Sequence, residues 1–98
     1  MQSSLQHIVT DKEIAFGRPR IAGTRITVKD VVIKHLRNGM ELELIAGDFD
    51  LSLADVYAAM TYYYDHKTEI DQGIDDDARF VAEFRKQYEA TDNRKYVA

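Results

Sequence analysis

Ninety-eight residues with a formal net charge of −4, no cysteine and a single proline describe one modest domain, with a core of the size often completed by a second copy. The lack of cysteine rules out disulfides, thiolate zinc sites and cysteine nucleophiles. No run approaches the ~20 apolar residues of a membrane span, and Met1-Gln2-Ser3-Ser4 offers neither basic region nor apolar core of an export signal, so the expected compartment is the cytoplasm.

In chain order, His7-Ile8-Val9-Thr10 reads as a short strand, Asp11-Lys12-Glu13 as a turn, and Ile14-Ala15-Phe16 as an apolar stretch packing beside the strand. The next segment is the best specified. Gly17 and Gly23 tolerate positive φ and Pro19 fixes φ near −65° between them, so Phe16 to Arg25 forms a tight loop carrying Arg18, Arg20 and Arg25. The loop leads into an extended piece, and a small β-ribbon between Ile8-Val9 and Ile26–Val28 is expected. Thr27 then caps a first helix over Val28 to Asn38, with Asp30 completing a capping box and Ile26 and Val31 at the staple positions. Val28, Val31, Val32 and Leu36 form its apolar stripe, with His35 near the edge, and Gly39 suits the C′ position.

A second helix is expected over Glu41 to Phe49 with Leu44, Ile45 and Phe49 inward, and Glu41 is a poor N-cap. Ser52 caps a third helix, with Asp55 closing a box, Leu51 and Val56 as staple, and Leu53, Val56, Met60 and Tyr63 as its stripe. This helix reaches about Tyr64, and Tyr62, Tyr63 and Tyr64 wrap more than half its circumference. Such a girdle implies a partner surface, most simply a second copy of the chain. Asp71-Gln72-Gly73 is expected to break the pattern. Asp75-Asp76-Asp77 then opens a fourth helix at its dipole-favoured end, with Ile74, Ala78, Val81, Phe84 and Tyr88 on one stripe and a polar, frayed tail from Thr91 to Ala98. Residues 1–73 thus form a core and residues 74–98 an added helix and tail of the same domain. The expected fold is mainly α: a three-helix, helix-turn-helix-like (homeodomain-like) core with a short N-terminal β-ribbon and an added C-terminal helix.

The pattern Gly17-x-Pro19-x-Ile21-x-Gly23-Thr24-Arg25-Ile26-x-Val28, followed by Gly39 and Leu51-x-Leu53-x-Asp55-Val56, resembles the bacterial family known as domain of unknown function 433, across roughly His7 to Asp71. The resemblance implies a small helix-turn-helix-like, typically dimeric protein, and some relatives are described as antitoxins encoded beside a PIN-like ribonuclease toxin. Two positions depart from the pattern: Glu41 stands where a capping serine is common, and Asp50 where the turn usually has glycine. The fourth helix lies beyond the resemblance.

Charge is unevenly spread. Residues 1–39 hold seven Lys/Arg against three Asp/Glu, a balance of +4, and residues 40–98 hold six against fourteen, a balance of −8. Such polarity suits a basic patch facing an anion, and equally an ordinary solvated surface. In a helix-turn-helix the third helix reads bases, yet its first outward residues here are Ser52, Leu53, Ala54 and Tyr57, with Asp48, Asp50 and Asp55 nearby. None is an Arg, Asn or Gln able to make bidentate base contacts, and the acids repel phosphate. The better nucleic-acid candidates are Arg18, Arg20 and Arg25 on the loop with Lys29, Lys34 and Arg37 on the first helix. Against this stands internal pairing of Arg25 with a carboxylate.

A toxin-binding role points to the fourth helix and tail. PIN-like nucleases hold Mg²⁺ with clustered carboxylates, and that acidic cavity attracts long basic side chains such as Arg79, Arg85, Lys86, Arg94 and Lys95. Dimer or partner contacts are expected at Tyr62, Tyr63, Tyr64, Val81, Phe84 and Tyr88. His7, His35 and His66 show no metal-type spacing, and Gly17 to Gly23 does not match a phosphate loop. The reading is therefore a non-enzymatic, cofactor-free, antitoxin-like regulator, a homodimer binding a PIN-like toxin and its own operator DNA. The alternative is a dimeric interaction module without nucleic-acid binding, and a metal-dependent enzyme is the remote third.

Overall fold

A computed structural model describes the backbone of residues 6–97 and the side chains of residues 6–89. Met1 to Ser4, expected to carry no export signal, and the side chains of Arg94 and Lys95 lie outside the described residues. Contacts divide the chain into two compact units, Met1–Lys67 and Thr68–Ala98.

The first unit opens with an antiparallel pair of two-residue strands, β1 (Ile8–Val9) and β2 (Arg20–Ile21), in register Ile8 to Ile21 and Val9 to Arg20. This corrects the expected pairing of Ile8-Val9 with Ile26–Val28. The loop explains the difference. Gly23 takes φ +80°, Thr24 Oγ1 donates to the Ile21 carbonyl at 2.8 Å, and Ile26 N–H donates to Thr24 Oγ1 at 3.0 Å. The chain thus reverses within a few residues and lays Ile26-Thr27 on the near side of β2, where Ile21 N–H donates to the Ile26 carbonyl at 2.8 Å and Arg20 bridges to Thr27. Closing that short loop costs less entropy than reaching back to β1. Ile14-Ala15-Phe16 does not return as a packed stretch either. Ala15 and Phe16 sit at φ +53° and +59°, and Phe16 is 94% exposed. Two non-glycine residues in the left-handed region store strain in this loop.

Thr27 makes the expected capping box. Its hydroxyl accepts from Asp30 N–H at 3.1 Å, and Asp30 accepts from Thr27 N–H at 3.0 Å. It starts α1 (Val28–Val32), which buries Val28, Val31 and Val32. Replacing Thr27 by Ala should lower stability by about 0.5–2 kcal/mol in a thermal melt. The helix does not continue regularly to Asn38. A π turn spans Ile33–Arg37, closed by Asn38 N–H donating to the Ile33 carbonyl at 3.0 Å and by His35 Nδ1 donating to the Met40 carbonyl at 2.8 Å. The extra residue turns Leu36 outward to 46% exposure, so it leaves the expected stripe.

In α2 (Leu42–Phe49), Glu41 caps without a side-chain hydrogen bond, Ile45 and Ala46 are buried, and Leu44 faces solvent rather than the core. Asp50 closes the helix in the left-handed conformation at φ +57°, which an Asp tolerates better than most side chains. Ser52 caps α3 (Leu53–Asp65), which buries Val56, Ala59, Met60 and Tyr63 while Leu53 stays exposed. The α3 helix is the hub of the unit, touching α1, α2, β1 and β2.

The chain between α3 and α4 breaks at His66, not at Asp71–Gly73: α4 (Lys67–Val97) is one helix running through Gly73 and past Thr91. A single glycine costs a helix about 1 kcal/mol, which the long flanking segments absorb. Asp75–Asp77 therefore lie inside a helix rather than at its start. No helix among the described residues is long and apolar enough to cross a membrane.

Candidate functional site

The basic loop was the first candidate, and its arginines divide by burial. Arg20 is only 8% exposed. Its Nη1 donates to the Thr24 carbonyl at 3.0 Å, pinning the Gly23 turn, and its buried Nε has no hydrogen-bond partner among the described residues. Arg20 is thus part of the loop's scaffold rather than an outward cationic handle, a correction with a clear cause: β2 lies between β1 and Thr27, and both of its residues are buried. Arg25 is exposed. Arg18, Lys29 and Arg37 each have a partner within the protein, and Lys34 Nζ pairs with Asp48 at 2.9 Å while lying 5.1 Å from the Phe49 ring centre. Arg37, like Arg25, is exposed, whereas Arg18, Lys29 and Lys34 are half-buried.

A buried guanidinium with an orphaned Nε gives little net stability. Replacing Arg20 by Met, which keeps the stem and removes the charge, should leave the melting temperature unchanged or raised. Arg20→Ala should lower it, because the stem's packing is lost as well.

Outward positions of α3 match the sequence reading. Ser52, Leu53, Ala54 and Tyr57 are exposed beside exposed Asp48 and Asp50. Asp55, however, does not complete a capping box. Ser52 Oγ accepts from Asp55 N–H at 3.1 Å, but the Asp55 carboxylate meets His7 Nδ1 at 2.7 Å. This tie between β1 and α3 joins residues 48 apart, which no local pattern could announce. It borders a groove of about 400 Å³ lined by Gln6, His7, Ile8, Ala58, Thr61, Tyr62 and Asp65. At one edge Tyr62 stacks on His66 with ring centres 4.0 Å apart, and His66 Nδ1 donates to the Tyr62 carbonyl at 3.0 Å. Among the described residues no group of three His, Cys, Asp or Glu side chains could hold a metal ion. A His–carboxylate pair of this kind fixes the orientation of the imidazole.

The tyrosine girdle splits three ways. Tyr63 is buried at 3%, Tyr62 is half-buried, and Tyr64 is exposed. Tyr63 is therefore withdrawn from the expected partner surface: it belongs to the core, with Tyr64 edge-on at 5.1 Å and Lys67 Nζ over its ring at 5.9 Å.

On α4, Val81, Phe84 and Tyr88 are exposed as a partner surface requires, and Phe80 joins them. Its ring centre is 6.5 Å from that of Phe84, which stands 6.3 Å from Tyr88. The sequence reading missed Phe80 because the stripe was drawn through Ile74 and Ala78. The i, i+4 series 80, 84, 88 was the available signal.

Comparison with known proteins bears on the first unit. A family model described as a protein of unknown function (DUF433) matches residues 8–63. A solved structure, a DUF433 member protein from Anabaena variabilis ATCC 29413, is similar with a TM-score of 0.64 and 27% identity, covering 74% of this chain and 73% of that one. No curated protein matches the chain.

Proposed function

Starting from the fact that this chain belongs to the DUF433 family, whose function is unknown, we propose that it is a non-enzymatic, antitoxin-like regulator. It works as a homodimer in the cytoplasm and captures a PIN-like ribonuclease through α4. The observation that carries this reading is the aromatic face of α4. Phe80, Val81, Phe84 and Tyr88 form a contiguous apolar stripe on a helix outside the matched family region, flanked by Arg79, Arg85 and Lys86. A helix with such a face is a standard ligand for a groove on a partner protein, and long basic side chains suit a cavity of metal-binding carboxylates.

Operator binding is the finer part of the proposal and rests on the helix-turn-helix-like body with Arg25 outward. The alternative, an interaction module that never touches nucleic acid, draws support from the α3 face, which lacks Arg, Asn and Gln, and from the burial of Arg20. The test uses the full chain and a PIN-like nuclease encoded beside it. Stoichiometric addition should quench RNA cleavage and give a complex that survives gel filtration. Undiminished cleavage with no co-elution would reject the reading. A DNA shift that weakens steeply with salt and is reduced by Arg25→Ala favours the operator role, whereas no shift at low salt leaves the module.

A further inference from the structure

The groove walled by β1 and α3 lies within the first unit and contains no residue of α4. Its volume of about 400 Å³ falls in the range of small-molecule sites, roughly 300–1,000 Å³. Helical spacing builds its long wall. Ala58, Thr61, Tyr62 and Asp65 stand at i, i+3, i+4 and i+7 on α3, so they share one face and span roughly 10 Å at 1.5 Å per residue. Ile8 and Ala58 supply an apolar part, and the Tyr62 ring is held by its stack on His66. Negative charge lies towards both ends. At one end the Asp65 carboxylate has no hydrogen bond or ion pair among the described residues. Beyond Ala58, about 15 Å from Asp65 along the helix, stands Asp55, bound to His7 Nδ1 at 2.7 Å. A carboxylate only accepts, so that contact places the proton on Nδ1 and leaves Nε2 of the neutral His7 ring as an acceptor. No Lys or Arg lines the groove.

We propose that this groove binds a linear aliphatic polyamine, lying along α3 with an ammonium group at each end. Asp65 accepts a charge-assisted hydrogen bond from one terminal ammonium, and Asp55 with His7 Nε2 receives the other. The methylenes between them rest on Ile8 and Ala58, and an inner ammonium lies against the Tyr62 ring. Charge decides the class, because two carboxylates without a neighbouring Lys or Arg repel an anion and gain nothing from a neutral ligand. An extended peptide is a poorer fit: β1 has only two residues, about 7 Å of strand, for an added strand to pair with. Charge pairs in a solvated groove are weak, so the dissociation constant is on the order of 0.1–1 mM. No residue of α4 takes part, so polyamine binding and nuclease capture stand or fall separately.

Heteronuclear NMR titration of the full chain with spermidine tests the assignment. Amide shifts should saturate with a single dissociation constant in that range and map to His7, Ile8 and the stretch from Ala58 to Asp65. Asp65→Asn, a change at an exposed position, should weaken binding at least fivefold without lowering the thermal melt. Thr61→Lys, also at an exposed position, sets a cation on the same wall and should abolish binding. Putrescine, too short to reach both ends, should bind at least tenfold more weakly than spermidine. Shifts that never saturate, or that centre on Asp75 to Asp77, would mean general counter-ion attraction to an acidic chain and would overturn the proposal. So would an Asp65→Asn chain that binds like the wild type, or putrescine binding as tightly as spermidine. A dilysine peptide that binds more tightly than spermidine would reassign the groove to a protein partner, and equally overturn it.

Discussion

Tyr63→Ala is expected to destabilise the first unit by about 3–5 kcal/mol, the range for truncating a buried large aromatic. The ring is 3% exposed on the buried face of α3, beside Val56, Ala59 and Met60. Its loss removes packing, the edge contact with Tyr64 and the cation–π contact with Lys67. Small domains have about 5–15 kcal/mol in hand, so the variant should melt many degrees lower or fail to fold at 37 °C. Tyr64→Ala, at an exposed position, should shift stability by no more than about 0.5 kcal/mol. Chemical denaturation of the two variants side by side checks the assignment. Equal effects would mean that Tyr63 is not the core residue the fold makes it.

The second large effect belongs to α4. Changing Phe80 and Phe84 together to Asp should leave thermal stability within about 0.5 kcal/mol, because both rings already face solvent. Binding to a PIN-like nuclease should fall by more than 100-fold. Aromatic anchors at the centre of an interface cost about 2–4 kcal/mol each when truncated, and an Asp adds a charge that must lose water against an apolar or acidic groove. Isothermal titration with wild type and double variant separates the two effects. Retained affinity would move the binding surface elsewhere on the protein.

How the fold was legible in the sequence follows from the range of the forces involved. Capping residues act within one turn, so Thr27 with Asp30 and Ser52 with its following amide announce the starts of α1 and α3 directly. The left-handed closure at Asp50 follows the turn position too, despite the absent glycine. Pairing between distant segments left no such mark. Which strand β1 meets depends on the Gly23 turn delivering Ile26 onto Ile21, and the His7–Asp55 contact depends on where β1 comes to rest on α3. The same limit explains Arg20. A basic residue between a proline and a glycine reads as surface, and only its place between β1 and Thr27 buries it. Asp71–Gly73 illustrates the opposite error, a local breaker overridden by the length of helix on either side. On the site, the exposed aromatic positions of α4 were partly readable from their spacing, whereas the tyrosine run could not reveal which ring the core would take.

The central claim is that the working surface of this protein is the aromatic face of α4, and not the arginine loop. Hydrogen-exchange mass spectrometry of the full chain, alone and with the PIN-like nuclease, addresses it most directly. Protection should appear across Phe80 to Tyr88, with Arg18 to Arg25 exchanging as in the free protein. Protection confined to the Arg18 to Arg25 loop, with α4 unchanged, would contradict the account.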